Sequence, residues 1–203
     1  MIWRGVVDRR NVPHSRISSK RPLRGSLLLA VLLMADASAV AETHWPQPSP
    51  PIVPGSPGYV EIPGAAVPRD PHHHYKALFH VSKEAPNHAE PHPALNRVAR
   101  QINGLKAAGV PQSGISFALI VHGKAVDALL TDAAYRAVYK SANPNLQLIA
   151  GLTDNGVKIY VCGQYMAKAN LPRSNLAEGV EVAEAATLVI IRLSNDGYAV
   201  VEE

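Results

Sequence analysis

Cysteine is almost missing from this sequence: a single residue, Cys162, in 203. One thiol cannot close a disulfide within its own chain, so a stapled, disulfide-dense scaffold is excluded. No paired-cysteine redox motif exists for the same reason. A G-x-G-x-x-G turn after a strand, a Walker A loop and a G-x-S-x-G elbow are also absent, so the dinucleotide, nucleotide and α/β-hydrolase templates find no support. Apolar runs are short. Ser26 to Met34 (SLLLAVLLM) falls well below the roughly 20 residues that a bilayer-spanning helix needs.

What that run does fit is the middle of a secretory leader. Lys20, Arg21 and Arg24 supply a positive segment before it, and Ala37-Ser38-Ala39 and Ala39-Val40-Ala41 supply small-residue sites after it. Residues 1–41 are therefore expected to be a signal peptide cleaved after Ala41, with a retained anchor as the alternative. Met1 to Ser19 shows no apolar periodicity and is read as an over-extended start. The leader also dissolves the basic balance. The whole chain carries 20 Lys and Arg against 16 Asp and Glu, a net charge of +4. Seven of those bases and two of those acids lie in residues 1–41, which leaves 13 against 14 and a net charge of −1. A nucleic-acid partner is not expected. The expected compartment is the periplasm, with no membrane attachment after cleavage.

Residues 42–74 are dense in proline, which blocks helix and interior strand, so a largely extended linker or arm is expected, either a plain spacer or an arm over a neighbouring subunit. The domain expected over 75–203 alternates strand and helix. Tyr75 to Val81, Ile115 to Val121 and Val157 to Val161 read as strands, the second apolar enough to be buried on both faces. Pro93 to Ala108 carries Leu95, Val98, Ile102 and Leu105 at helical spacing. Ala125 to Leu130 and Asp132 to Lys140 read as short helices, and Asn143-Pro144 as an N-cap opening a helix through Leu152. Leu176 to Ala185 reads as a helix. Ala186 to Leu193 (ATLVIIRL) and Tyr198 to Val201 read as the last strands, with Asn195-Asp196-Gly197 as a turn signal between them, either closing a hairpin or joining two separated strands of the sheet. Such alternation implies an α/β fold with a mostly parallel sheet in three layers.

Ligands of open parallel sheets bind at the carboxyl ends of the strands. His122-Gly123 leaves the second strand there, Cys162-Gly163 leaves the third, and Asn143 caps a helix on the same side. Each glycine permits a tight turn and close approach of backbone to a ligand. Cys162 also precedes a helix, Gly163 to Lys168, whose first amides favour a thiolate. A thiolate at such an edge suits covalent carriage of sulfur as a persulfide, passed on by exchange with a partner thiol. The competing reading is a buried, inert cysteine in a binding module, with His122 bonded to backbone. His72, His73 and His74, with His80, His88 and His92 nearby, raise a metal question, but consecutive histidines lack rigid-site spacing. No metal and no cofactor are expected.

The blocks His122-Gly-Lys-Ala-Val126, Asn143-Pro-Asn-Leu146 and Gly156-Val-Lys-Ile-Tyr-Val-Cys-Gly-Gln164, flanked by Leu95-Asn96 and Gly197-Tyr198-Ala199, resemble the DsrE/DsrF-like family of sulfur-metabolism proteins, and its exported members above all. The resemblance spans Tyr75 to Val201. It implies a flavodoxin-like, five-stranded parallel sheet with helices on both faces and assembly as a homo-oligomer, a trimer or a hexamer. It also implies persulfide transfer to a thiol partner protein through one cysteine after a strand, here Cys162.

Overall fold

A computed structural model describes residues 45–203. The expected leader lies outside the described residues. In chain order the elements are β1 (Tyr75–Val81), α1 (Pro93–Ala107), β2 (Ile115–Val121), α2 (Asp132–Tyr139), α3 (Leu146–Asp154), β3 (Lys158–Cys162), α4 (Gly163–Lys168), β4 (Val180–Ala183), α5 (Ala186–Asn195) and β5 (Ala199–Glu202). Gly123–Leu129, expected as a helix from Ala125, is a 3-10 segment.

The five strands form one sheet in the order β4-β3-β2-β1-β5, and every pairing is parallel. Strands β1 to β4 step in one direction; β5 returns to the free side of β1. Right-handed crossovers then require α5 to cover the face opposite α1, α3 and α4. This is the doubly wound, flavodoxin-like plan, with the reversal after the fourth strand, whereas flavodoxin itself, ordered 2-1-3-4-5, reverses after its second.

The two faces are unequal. Phe79, Val81, Leu119, Val121, Ile159 and Val161 point into the larger core with Leu95, Val98 and Ile102 of α1 and Ile149 and Leu152 of α3. The alternate residues, Leu78, Ala118, Ile120 and Cys162, form a smaller core under Ala186, Val189, Ile190 and Leu193 of α5. At roughly 25 cal/mol per Å2 of buried apolar area, the first face supplies most of the hydrophobic stabilisation.

Two expectations at the C-terminal end are corrected. Ala186 to Leu193 is helix, not strand, and the strand lies before it, at Val180–Ala183, inside the stretch expected as helix. An eight-residue apolar run has no clear period, so its length and composition fit either state. It is apolar all round because one side packs on the sheet while Leu188 and Ile191 stay half-exposed. The true period-2 signal was Val180-Glu181-Val182, with both valines against the main core. Gly197 (φ +83) therefore follows a helix end rather than closing a hairpin.

The proline-rich arm is packed on its own domain. Val53 is fully buried in the main core. Asn103 of α1 holds it there: its Oδ1 accepts the Ile52 and Val53 amides, both at 2.9 Å, and its Nδ2 donates to Ser56 Oγ and the Pro57 carbonyl. On α3, Gly151 lies so close that a Cβ would come within 2.9 Å of Val53 and Pro54 side-chain atoms. Proline excludes regular structure from this segment, and side-chain hydrogen bonds supply what a ladder would have given.

Asn103→Ala leaves the buried Val53 amide and the part-buried Ile52 amide without an acceptor and is expected to cost about 1–3 kcal/mol. Hydrogen exchange at Ile52 and Val53 should accelerate well beyond the rest of the domain. Unchanged protection at those amides would show that the arm is held by apolar packing alone.

Candidate functional site

Four strands deliver polar or reactive side chains to one face of the sheet at its carboxyl edge. Alternation puts His80 of β1 on the α5 face with Leu78, Glu202 of β5 with Val200, and Cys162 of β3 with Tyr160. His122 follows Ile120 on that face. It remains extended (φ −147, ψ 179), and its amide donates to the Val81 carbonyl at 3.0 Å, so the β2 pattern continues through it. The β2–β3 register pairs Val121 with Val161, which sets His122 beside Cys162 one step further on. The β1–β5 register pairs His80 directly with Glu202.

Three of these residues form a hydrogen-bonded row. The His80 Nδ1 lies 2.9 and 2.7 Å from the two carboxylate oxygens of Glu202, and its Nε2 lies 2.7 Å from His122 Nε2. The imidazoles are within 18° of parallel with centroids 4.9 Å apart, so they meet nitrogen to nitrogen along their edges. An ionised carboxylate only accepts, which assigns a proton to His80 Nδ1. In neutral His80 the Nε2 is then an acceptor, His122 Nε2 is the donor, and His122 Nδ1 keeps its lone pair. Burial pushes the His122 imidazole below its ordinary value, neighbouring His80 pushes it the same way, and Glu202 partly opposes them.

Cys162 is buried, 7% exposed, among the smaller core. The Ala186 amide, in the first turn of α5, donates to its Sγ at 3.4 Å. Ala185, the N-cap of α5, makes no side-chain cap bond, and the sulfur accepts one of the first-turn amides that the helix leaves without an internal partner. The sequence placed Cys162 before α4; only the packed sheet sets it under α5 as well.

The other expected site residues have internal duties. Asn143 is buried, and its side chain is saturated: Oδ1 accepts from the Asn145 amide and Nδ2, while Nδ2 donates to the Ala128 and Leu130 carbonyls. It does not cap α3, as expected from Asn143-Pro144; α3 begins at Leu146 with Asn145 at the N-cap. Gly123 has φ +61, a left-handed turn that glycine takes at no cost. At Gly163 a Cβ would meet the Ala183 carbonyl at 2.8 Å, so the close approach there is to the end of β4.

Among the described residues no cluster of three side chains could hold a metal ion. His74 binds Ser116 Oγ and His73 packs edge-on against Tyr75, which separates the histidine run. A second polar group joins Tyr139, whose hydroxyl donates to Asp127 Oδ2, with Tyr135 and His88. The cavity beside it, about 10 Å3, has room for about one water. A groove of about 520 Å3 runs between α5 and the sheet edge, lined by Tyr160, Ala183, Leu188 and Arg192 among others. Sequence spacing grouped His80 only with scattered histidines and gave Glu202 no role. The one available signal was the alternation of β1, which puts His80 on the face of Leu78.

Histidine 15N titration tests the row. His122 should titrate below 6.5, its ordinary value; His80→Gln should raise that midpoint and Glu202→Gln should lower it further. The sign for stability follows by linkage. The unfolded chain takes up this proton first, so the stabilisation is present above about pH 6.5 and is lost as the pH falls through the folded value. A midpoint unmoved by both variants would mean that the three groups do not share their charge.

The DsrE/DsrF-like family model matches residues 74–202. A search of the curated proteins returned no match. Two solved structures are similar in shape. One is MTH1491 of Methanobacterium thermoautotrophicum, described as a protein of unknown function, at 19% identity and a TM-score of 0.44. The other is the ychN protein of E. coli, at 16% identity and a TM-score of 0.47. Each aligns over 64% of this chain and 99% of its own. With its five-stranded parallel sheet and a family match over 74–202, this chain belongs to the DsrE/DsrF-like family.

Proposed function

We propose that the protein handles sulfane sulfur, carrying it on Cys162 as a persulfide and passing it to a thiol partner. Membership in the DsrE/DsrF-like family ties the chain to sulfur metabolism. The observation that carries the finer reading is the setting of the sulfur: the only thiol of the chain lies at a strand end, with Sγ accepting the first-turn Ala186 amide of α5. A helix N-terminus carries partial positive charge, which stabilises thiolate and an anionic persulfide alike. Burial of the sulfur counts instead toward an inert cysteine, since reactive thiols sit in partly exposed settings.

The leader-like segment supports export to the periplasm, with cleavage after Ala41. Half-exposed Leu188 and Ile191 on α5, with Val200 on β5, support a homo-oligomer that covers the thinner face. A second reading rests on the same Ala186 bond: Cys162 caps α5 and is otherwise inert, and the protein is a binding module.

Substitution separates the two. After incubation with a persulfide donor, the wild type is expected to gain the mass of one sulfur atom, and Cys162→Ser none. Serine keeps an acceptor for the Ala186 amide and should leave stability within about 1 kcal/mol, while Cys162→Ala should cost about 0.5–1.5 kcal/mol as a lost hydrogen bond. No mass gain on the wild type, with the alanine penalty present, would establish the capping role instead. N-terminal sequencing of exported protein should begin at Glu42; an intact leader on the mature protein would overturn export with cleavage.

A further inference from the structure

Resting on the sulfur-carrier reading, we propose that the Glu202–His80–His122 row is the acid–base group of the Cys162 site, with His122 exchanging the proton and His80 and Glu202 as positioning residues. Three observations converge on it. The row is continuous at 2.7 Å per link, from the β5 carboxylate through both imidazoles. The last β2–β3 pair is Val121 with Val161, and His122 and Cys162 each follow it by one residue on the same sheet face. His122 Nδ1 has no partner among the described residues, whereas both nitrogens of His80 are engaged.

The proton logic is directional. When His122 Nδ1 accepts a proton, its Nε2 proton can pass to His80 Nε2, and the positive charge comes to rest on the imidazole against Glu202. A carboxylate thus supports a charge formed at the far end of the row, much as an aspartate supports an imidazolium in a hydrolase triad. The groups that act on His122 are His80 from β1 and Glu202 from β5; on β3 the neighbouring position by register is Cys162. The hydrogen bond seen at Sγ comes from Ala186 rather than His122, so the proton crosses by way of a water or the bound donor.

The step balances without an oxidant or reductant. The Cys162 S–H gives its proton to His122, and the thiolate attacks the outer sulfur of a donor persulfide, R–S–S–H. A new S–S bond forms on Cys162 and the donor S–S bond breaks, its electron pair leaving on R–S⁻. His122 returns the proton to that leaving thiolate. The products are Cys162–S–S–H and R–SH.

The test measures Cys162 alkylation by iodoacetamide and sulfur uptake from a persulfide donor, both across pH, on full-length protein. His122→Gln is expected to slow both by roughly a hundredfold near neutral pH, the low end of what general acid–base groups supply, and to change little in alkaline solution. His80→Gln and Glu202→Gln should show the same shape with smaller losses, and they serve if the His122 variant does not fold. Superimposed pH profiles in all three variants would overturn the proposal. So would stoichiometric zinc that is lost on replacing either histidine, since the pair would then be a metal site. Alkylation that follows the row in a wild type that takes up no sulfur would sustain the acid–base group while refuting sulfur carriage.

Discussion

The return of β5 to the free side of β1 is the constraint on which the site depends. A fifth strand added beyond β4 would have kept every crossover helix on one face and left Glu202 at the far edge of the sheet. Instead β1 becomes an interior strand, flanked by β2 over seven residue pairs and by β5 over four. One crossover has three effects. It brings the Glu202 carboxylate to His80, it lays α5 over the opposite face, and it aims the first turn of that helix at the Cys162 sulfur.

The unequal faces follow from the same winding. The side covered by α1, α3 and α4 holds the deep apolar core, and a titratable side chain placed there would pay the full penalty of burial. The side covered by α5 alone is thin, and polar groups survive at its carboxyl edge because they are only partly withdrawn from water. His80 remains 18% exposed and Glu202 72% exposed at their side chains. Cys162 is the exception, buried where a helix start supplies the amide that its sulfur can accept.

Much of this was legible in the residues. The buried pattern of Ile115–Val121 and the helical spacing of Pro93–Ala107 marked the centre of the fold, because long periodic segments leave little ambiguity. Cys162-Gly163 and His122-Gly123 stood out as strand exits for the same reason. The C-terminal third misled. Val180–Ala183 is four residues long, and ATLVIIRL carries no period, so local composition could not separate an edge strand from a helix that packs on one side only. The arm misled differently: prolines announce what a segment cannot form, not that an asparagine fifty residues away will hold it.

The sequence alone determined the alternating α/β class, the lone thiol, its place at a strand end and the family, since each depends on residues close together in the chain. Only the tertiary structure decided what that thiol faces. The Ala186 amide is 24 positions from Cys162, and Glu202 is 122 positions from His80. Contacts at such separations are set by strand order and by the hand of the crossovers, which no local pattern of side chains encodes.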